Sequence, residues 1–164
     1  MPGCGKSTFG KNLAEHIGVR FLDLDKEIVR NEKMTIPEIF ETKGEDAFRI
    51  IERDTLQNVL NNSEQLLLAT GGGAPCFFDN MERMTSNGLV IFLNADLDYV
   101  VSRVLRKKHK RPLIKQMDDA SIADDIKAMY KKRLPFYKKA QIVLGMDEIK
   151  IEAALSKIQD CTKS

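Results

Sequence analysis

The sequence predicts an α/β domain whose parallel sheet is covered by helices on both faces. Short apolar segments typical of buried strands alternate along the chain with longer segments of helical periodicity. Polar clusters follow two of the predicted strands, and a third cluster opens a helix; open parallel sheets bind ligands at such positions. With 164 residues, the chain has the length of one ordinary domain. We therefore expect residues 1–164 to form a single domain.

Hydrophobic periodicity places the individual elements. Short apolar runs predict a strand at residues 19–22 that ends at 23–25, a strand at 65–70 that holds Leu66–Leu68, and strands at 89–93 and 141–144. Apolar residues at helical spacing predict helices at residues 6–17, 45–61, 79–87, 96–108, 121–132 and 147–157. Another helix should begin at Thr35, because Thr35 and Glu38 form a capping box and Pro37 lies in the first turn.

The composition argues against several classes of protein. Lys and Arg total 26 against 24 Asp and Glu, and a formal net charge of +2 is not typical of a nucleic-acid binder. The sequence shows neither an apolar run of about 18 residues nor a signal peptide, so we expect no membrane association. Cys4, Cys76 and Cys161 have unrelated spacings, as is typical of thiols in a reducing compartment. We therefore expect a cytoplasmic protein.

A phosphate-binding motif at the start of the chain organises the rest. It matches the second half of the pattern GxxxxGK followed by Ser or Thr, and comprises Gly3, Cys4, Gly5, Lys6, Ser7 and Thr8. Glycines let backbone N–H groups face a phosphate, and the positive N-terminus of the following helix points at the same anion. Lys6 can reach the β- and γ-phosphates, and the Ser7 hydroxyl is placed to bind Mg²⁺. A glycine turn that happens to precede a helix is the alternative.

The motif is incomplete on its N-terminal side. Its first glycine would fall one residue before Met1, and the apolar strand that leads into such a loop would lie before that glycine. We therefore expect strand 1 of the fold and the first glycine of the loop to be missing from this sequence.

Two further clusters follow predicted strands. Asp23 and Asp25 flank Leu24, so on an extended backbone both carboxylates point to one side. One could hold metal-bound water and the other a substrate hydroxyl, while a helix cap is the alternative, above all for Asp25. The glycine triplet 71–73 suggests close approach of the backbone to a ligand, with a plain loop as the alternative.

Arginines supply the remaining candidates. Arg49 lies among apolar residues of a predicted helix, and Arg133 precedes the residues Leu-Pro-Phe-Tyr. Either arginine could simply lie on a solvated surface.

The basic run 103–111 ends before Pro112. It is either a solvated helix end or part of a mobile loop that places Arg111 on a transferring phosphoryl group.

Taken together, these segments resemble the shikimate kinase family over nearly the whole chain. They occur in the order and approximate spacing of that family: GCGKST (3–8), FLDLD (21–25), FRIIE (48–52), GGG (71–73), RPLI (111–114) and RLPFY (133–137). The resemblance implies a three-layer αβα P-loop kinase fold with a parallel sheet in the order 2-3-1-4-5. It also implies transfer of the γ-phosphoryl group of ATP to the 3-hydroxyl group of shikimate, a step toward chorismate and the aromatic amino acids.

The resemblance implies a role for each candidate residue. Lys6 would bind phosphates, Ser7 would bind Mg²⁺, and Asp23 would hold water on that metal. Asp25 would bind shikimate hydroxyl groups and help to take up the attacking proton, and Arg111 would close over ATP from a lid at about 107–116. The ATP-binding set would be Gly3, Cys4, Gly5, Lys6, Ser7, Thr8 and Arg111. The shikimate-binding set would be Asp25, Arg49, Gly71, Gly72, Gly73 and Arg133. The adenine-stacking arginine could be either Arg103 or Arg106.

ATP and shikimate are therefore the expected partners, Mg²⁺ the expected cofactor, and a monomer the expected state. The family's usual RPLL is RPLI here, which is a small departure.

Two alternatives remain: a gluconate-kinase-like sugar-acid kinase on the same fold, and a truncated, non-catalytic nucleotide-binding module. Arg49 and Arg133 favour a carboxylate substrate, which gluconate also provides, whereas FLDLD and GGG favour shikimate.

Overall fold

The structure, a computed structural model, describes residues 1, 3–62, 64–106 and 118–163. The chain forms two compact units. The first, called the 7–89 unit, comprises Ser7–Leu89, and the second, called the 90–164 unit, comprises Val90–Ser164 together with Met1–Lys6. Within the described ranges, none of the helices is both long enough and apolar enough to cross a membrane.

The 7–89 unit is built around a pair of parallel strands. In chain order its elements are α1 (Lys6–Ile17), β1 (Arg20–Asp23), α2 (Leu24–Glu32), α3 (Ile36–Leu60), β2 (Leu66–Ala69), a 3₁₀ helix (Ala74–Cys76) and α4 (Asn80–Asn87). β1 pairs in parallel with β2, so that Asp23 lies opposite Ala69. The polar residues that follow the two strands therefore lie at the same edge of the pair.

Helix α1 packs closely on this strand pair. At Gly10 an added Cβ atom would lie 2.9 Å from the ring of Phe21 and 3.1 Å from the side chain of Leu67. Leu13 and Ala14 on the same helix are buried. The glycine therefore allows the helix to approach the strands more closely than a larger residue would.

Local sequence signals explain where α2 and α3 begin. The Asp23 carboxylate accepts a hydrogen bond from the Lys26 N–H group and caps α2. The predicted capping box at the start of α3 is confirmed, because Thr35 and Glu38 exchange hydrogen bonds. The Thr35 N–H and hydroxyl groups lower the pKa of Glu38 below its ordinary value. Gly44, with a φ of 82°, interrupts α3 where two separate helices were predicted.

The 90–164 unit also contains a pair of parallel strands. Its elements after Val90 are β3 (Ile91–Asn94), α5 (Leu97–Arg106), α6 (Asp119–Tyr137), β4 (Ile142–Gly145), a 3₁₀ helix (Met146–Glu148) and α7 (Ile151–Thr162). β3 pairs in parallel with β4. The ring of Phe92 on β3 lies 4.9 Å from that of Tyr137 on α6. Both side chains belong to a core whose other buried members include Val100, Val104, Ile126, Leu144 and Ala154.

All four predicted strands are present, and the main differences concern where elements end. The first strand stops at Asp23 and does not continue to Asp25. Helix α6 passes beyond its predicted end at residue 132 and continues through Pro135 to Tyr137. The predicted lid at 107–116 lies outside the described residues.

Candidate active site

The phosphate loop turns through two glycines with left-handed backbone conformations. Gly3 has a φ of 80° and Gly5 has a φ of 93°, values that residues with a side chain rarely adopt. Helix α1 begins at Lys6, so the unpaired N–H groups of its first turn lie directly after the loop. These two features support the predicted anion-binding role of the motif.

The side chain of Lys6 contacts its own loop. Its Nζ donates hydrogen bonds to the Met1 carbonyl at 2.8 Å and to Sγ of Cys4 at 3.8 Å. Cys4 is buried, and its thiol donates to the same carbonyl at 3.2 Å. Burial, followed by the charge of Lys6, lowers the pKa of the Met1 amino group to about 5, and the charge of Arg133 adds to this effect. The positive charges of Lys6 and Arg133 thus both act at the Met1 amino group, and an anion would be favoured at this position.

Ser7 and Asp23 form a pair of oxygen donors in the 7–89 unit. The Ser7 hydroxyl donates a hydrogen bond to Oδ2 of Asp23 at 2.7 Å, while Ser7 and Thr8 are both exposed. Hydroxyl and carboxylate oxygens suit Mg²⁺, which commonly binds one or two protein oxygens together with phosphates and water. In the part of the chain that the structure describes, no group of three or more His, Cys, Asp or Glu side chains could form an all-protein metal site. The Ser7–Asp23 pair therefore fits a magnesium ion shared with a nucleotide.

Asp25 lies in the first turn of α2 and not in an extended strand. Because α2 begins at Leu24, the prediction that Asp23 and Asp25 point to one side of an extended chain is wrong. The helix cap is Asp23, whose carboxylate satisfies the Lys26 N–H group, so the capping role considered above all for Asp25 belongs to its neighbour. Asp25 nevertheless reaches the glycine triplet, since a Cβ atom added to Gly71 would lie 3.1 Å from its Oδ1.

The glycine triplet leaves room for side chains of the protein itself. A Cβ atom at Gly71 would lie 2.9 Å from Oε1 of Glu52, and one at Gly73 would lie 2.7 Å from Nη1 of Arg49. Gly72, between them, is half-buried. Gly73 has an ordinary φ of −86°, so its backbone would accept a side chain, and the limit there is the space taken by the Arg49 guanidinium group. The approach of the triplet to a ligand stays a prediction, with a plain loop as the alternative.

Arg49 is buried beside Gly73 on α3. The residue is 9% exposed, so the alternative of a solvated helix face is wrong. Its Nη1 donates to Oε2 of Glu52 at 2.9 Å, and its Nε and Nη2 donate to Oε1 of Glu45 at 3.2 and 2.9 Å. Its Cζ atom also lies 4.1 Å from the ring centre of Phe77. We call Arg49, Glu45, Glu52, Gly73 and Phe77 the Arg49 cluster.

Glu52 is a site residue that the sequence prediction did not include. Its side chain is almost fully buried, with a residue exposure of 1%. One carboxylate oxygen accepts from Arg49, and the other lies next to Gly71. The available signal was its position three residues after Arg49, which places the two side chains on one helix face.

The 7–89 unit brings together groups whose chemistry suits a small hydroxylated acid. The carboxylates of Asp25 and Glu52 lie beside Gly71, and carboxylates accept hydrogen bonds from hydroxyl groups. The guanidinium group of Arg49 lies beside Gly73, and guanidinium groups bind carboxylates in paired hydrogen bonds. The triplet thus has acidic groups at one end and a basic group at the other.

The other predicted site residues belong to residues 90–164 of the chain. Arg133 lies on α6 and is half-buried. Of the two candidates for adenine contact, Arg103 donates a hydrogen bond to the Tyr99 hydroxyl at 2.7 Å, and Arg106 is exposed. Arg111 lies outside the described residues.

Comparisons with known proteins agree over almost the whole chain. The profile of the family described as shikimate kinase matches residues 2–163. The chain is 38% identical to the shikimate kinase of Bacteroides thetaiotaomicron over 162 residues, which is 96% of this chain and 92% of the relative. The chain is similarly 39% identical to the shikimate kinase of Parabacteroides distasonis over 158 residues, or 96% of this chain and 91% of the relative.

Solved structures give the same result for the fold. A crystal structure of shikimate kinase from Bacteroides thetaiotaomicron has a TM-score of 0.87 and 37% identity, with coverage of 99% of this chain and 94% of that chain. Shikimate kinase from Acinetobacter baumannii in complex with shikimate has a TM-score of 0.84 and 34% identity, with coverage of 97% and 89%. The predicted α/β fold of the P-loop kinases is confirmed.

Proposed function

We infer that this chain, which belongs to the shikimate kinase family, transfers the γ-phosphoryl group of ATP to the 3-hydroxyl group of shikimate. The products are shikimate 3-phosphate and ADP, and the reaction is a step toward chorismate and the aromatic amino acids. The observation that carries this conclusion is the family match over residues 2–163, which includes the phosphate loop and the Arg49 cluster.

In the proposed enzyme the phosphate loop binds ATP. Lys6 exchanges its contact with the Met1 carbonyl for the β- and γ-phosphates, and the positive φ values of two glycines support this role. The proposed ATP-binding residues of the loop are Gly3, Cys4, Gly5, Lys6, Ser7 and Thr8. Arg111 closes over ATP from a lid at about 107–116 and stabilises the transferring charge; the family resemblance alone supports this part of the proposal.

Mg²⁺ is the proposed cofactor. Ser7 would bind it directly, and Asp23 would bind it through water; the 2.7 Å contact between their oxygens supports a shared role. When bound, the ion neutralises charge on the β- and γ-phosphates. The hydrogen bond from Lys26 N–H to Asp23 meanwhile keeps the carboxylate oriented at the end of β1.

Shikimate is proposed to lie along the glycine triplet. The outer glycines are two residues apart, a span of at most roughly 7 Å, which suits a six-membered ring with its substituents. Arg49 and Arg133 bind the carboxylate, Asp25 binds hydroxyl groups, and the backbone contacts come from Gly71, Gly72 and Gly73. The position of Asp25 at one end of the triplet and Arg49 at the other supports this orientation.

Phosphoryl transfer then needs little from the protein beyond positioning and charge. The 3-hydroxyl oxygen forms a bond to the γ-phosphorus, and the bond to the bridging oxygen breaks with its electron pair leaving on ADP. Asp25 takes up the hydroxyl proton. Lys6 stabilises negative charge on the transferring group, and such electrostatic contributions commonly account for much of the rate enhancement.

Several broader features are also proposals. The sheet order is 2-3-1-4-5 in the family's numbering, in which β1, β2, β3 and β4 of this chain would be strands 2, 3, 4 and 5. The observed β1–β2 and β3–β4 pairs support this order, because strands 2 and 3 and strands 4 and 5 are neighbours in it. The strand numbered 1 in that order has no counterpart among the described strands. Residues 1–164 form one domain, the enzyme is a monomer, and its location is the cytoplasm.

The experiment that tests this function measures ADP release by a coupled assay with shikimate, with gluconate and with no acceptor. We expect ADP release above background with shikimate but not with gluconate, together with a phosphorylated shikimate product identified by mass spectrometry. Equal or faster release with gluconate would make the chain a sugar-acid kinase. ATP binding without release in any of the three reactions would make it a non-catalytic nucleotide-binding module.

A further inference from the structure

Two consecutive phenylalanines follow the 3₁₀ helix Ala74–Cys76, and each lies against an arginine of α3. The Phe77 ring centre is 4.1 Å from Cζ of Arg49, and the Phe78 ring centre is 4.9 Å from Cζ of Arg53. Both distances are within the range of a cation–π interaction. The two arginines are four residues apart and therefore share one helix face.

The backbone of this segment is held in an unusual conformation. Phe78 has a φ of 51°, in the left-handed region that bulky residues rarely adopt. The Asn80 side chain, which is fully buried, donates a hydrogen bond to the Ala74 carbonyl at 2.9 Å and ties the two ends of the turn together. Strained residues of this kind persist only where surrounding structure holds them, and they are common at ligand-binding sites.

Two groups of contacts hold the guanidinium group of Arg49. Glu45 and Glu52 accept hydrogen bonds from three of its nitrogens. Aromatic rings also pack near it, and Phe77 is nearer than Phe48 and Phe40, whose ring centres lie 5.1 and 6.0 Å from Cζ. A guanidinium group makes two parallel hydrogen bonds to a carboxylate in only a narrow range of orientations.

We propose that Phe77 is a positioning residue, whose ring helps to hold the guanidinium group of Arg49 in the orientation that binds the carboxylate of the acceptor substrate. This inference rests on the proposed function, in which Arg49 binds the shikimate carboxylate. Nothing in the chemistry requires Phe77 to contact shikimate itself.

The test compares three substitutions by steady-state kinetics with shikimate and ATP varied separately. Phe77→Leu keeps an apolar side chain but removes the ring, whereas Phe77→Tyr keeps the ring. The matched control is Phe78→Leu, which removes the ring that lies against Arg53. We expect Phe77→Leu to raise KM for shikimate about 3- to 30-fold, as the loss of a largely desolvated cation–π contact predicts. KM for ATP and kcat should change by less than about twofold. Phe77→Tyr and Phe78→Leu should resemble the wild type.

Each other outcome has a definite meaning. An unchanged KM for shikimate in Phe77→Leu, with normal wild-type activity, refutes the role of Phe77 alone. Equal impairment in Phe77→Leu and Phe77→Tyr, or an equal effect of Phe78→Leu, also refutes it, because the ring would then not be the cause. If the wild type leaves shikimate unphosphorylated, the proposed function fails and this inference fails with it.

Discussion

Replacing Gly73 with alanine tests whether the position of Arg49 determines how well the acceptor binds. The new Cβ atom would lie 2.7 Å from Nη1 of Arg49 and 3.0 Å from its Cζ. Since a normal contact is about 3.5 Å, the guanidinium group must move by roughly 0.8 Å. The φ of −86° at Gly73 suits alanine, so the effect comes from the added methyl group and not from backbone strain.

Arg49 has little freedom to absorb this displacement. Glu45 and Glu52 hold its nitrogens and Phe77 lies against its plane, so a shift weakens several contacts together. Misplacement of a binding group by about 1 Å can cost on the order of 100-fold in rate. We therefore expect Gly73→Ala to lower kcat/KM for shikimate about 10- to 100-fold. KM for ATP should stay within about twofold of the wild type, because Arg49 has no proposed contact with the nucleotide.

The assay is ADP release with shikimate varied at saturating ATP, accompanied by a calorimetric titration with shikimate. Gly88→Ala is the matched control, because Gly88 has an extended backbone and an added Cβ atom would meet nothing within 4 Å. Thermal denaturation of both variants checks that they are folded. A folded Gly73→Ala variant with wild-type kcat/KM for shikimate would refute the reasoning that Arg49 must occupy its present position.

Four other substitutions test separate parts of the structure and of the proposed function. Lys6→Ala should stay folded and lose about two or more powers of ten in kcat, measured by ADP release. The substitution removes the positive charge that stabilises the negative transferring group. Glu52→Gln should lower Tm by roughly 6–20 °C and raise KM for shikimate, whereas Glu45→Gln should lower Tm by less than about 4 °C. The lowered pKa of Glu38 stabilises the fold above its ordinary value near 4.5, and this contribution disappears as the pH falls through the folded pKa. The difference in Tm between wild type and Glu38→Gln should therefore shrink between about pH 6 and pH 3; a constant difference would contradict the cap assignment.

The sequence was informative wherever the signal is local. The capping box at Thr35 and Glu38 requires only two residues three positions apart, and it is present as predicted. The positive φ values of Gly3 and Gly5 likewise follow from residue type within a short motif. The four strands were recognised because buried parallel strands are short apolar runs, and their ends differ from prediction by one or two residues.

The sequence was less informative where two local structures compete. The segment Asp23–Asp25 suits an extended chain, but it also suits a capped helix, because Asp23 can accept a hydrogen bond from the N–H group three residues later. The helix forms, and it turns Asp25 toward Gly71. Similarly, the helix predicted to end at residue 132 continues through Pro135 to Tyr137.

Burial of Arg49 could not be predicted from its neighbours in the chain. Phe77 and Gly73, which enclose it, lie more than twenty residues away in sequence, and only the folded 7–89 unit brings them to α3. Arginines are rarely buried without a partner, and the partner here was three residues away in Glu52. The spacing to Glu52 alone does not distinguish Arg49 from a surface arginine, because pairs three residues apart also occur on exposed helix faces, as Arg30 and Glu27 do here.

The two glutamates that bind Arg49 differ in exposure, and in the proposed function this difference would let a buried arginine receive the substrate. The Glu52 side chain is 2% exposed, and breaking a buried ion pair costs about 3–5 kcal/mol, so this contact persists. The Glu45 side chain is 57% exposed, and an exposed pair contributes only about 0–1 kcal/mol. Shikimate could therefore take the place of Glu45 at small cost. The number of negative partners around Arg49 would then stay the same, which avoids leaving its charge either unpaired or crowded by a third carboxylate.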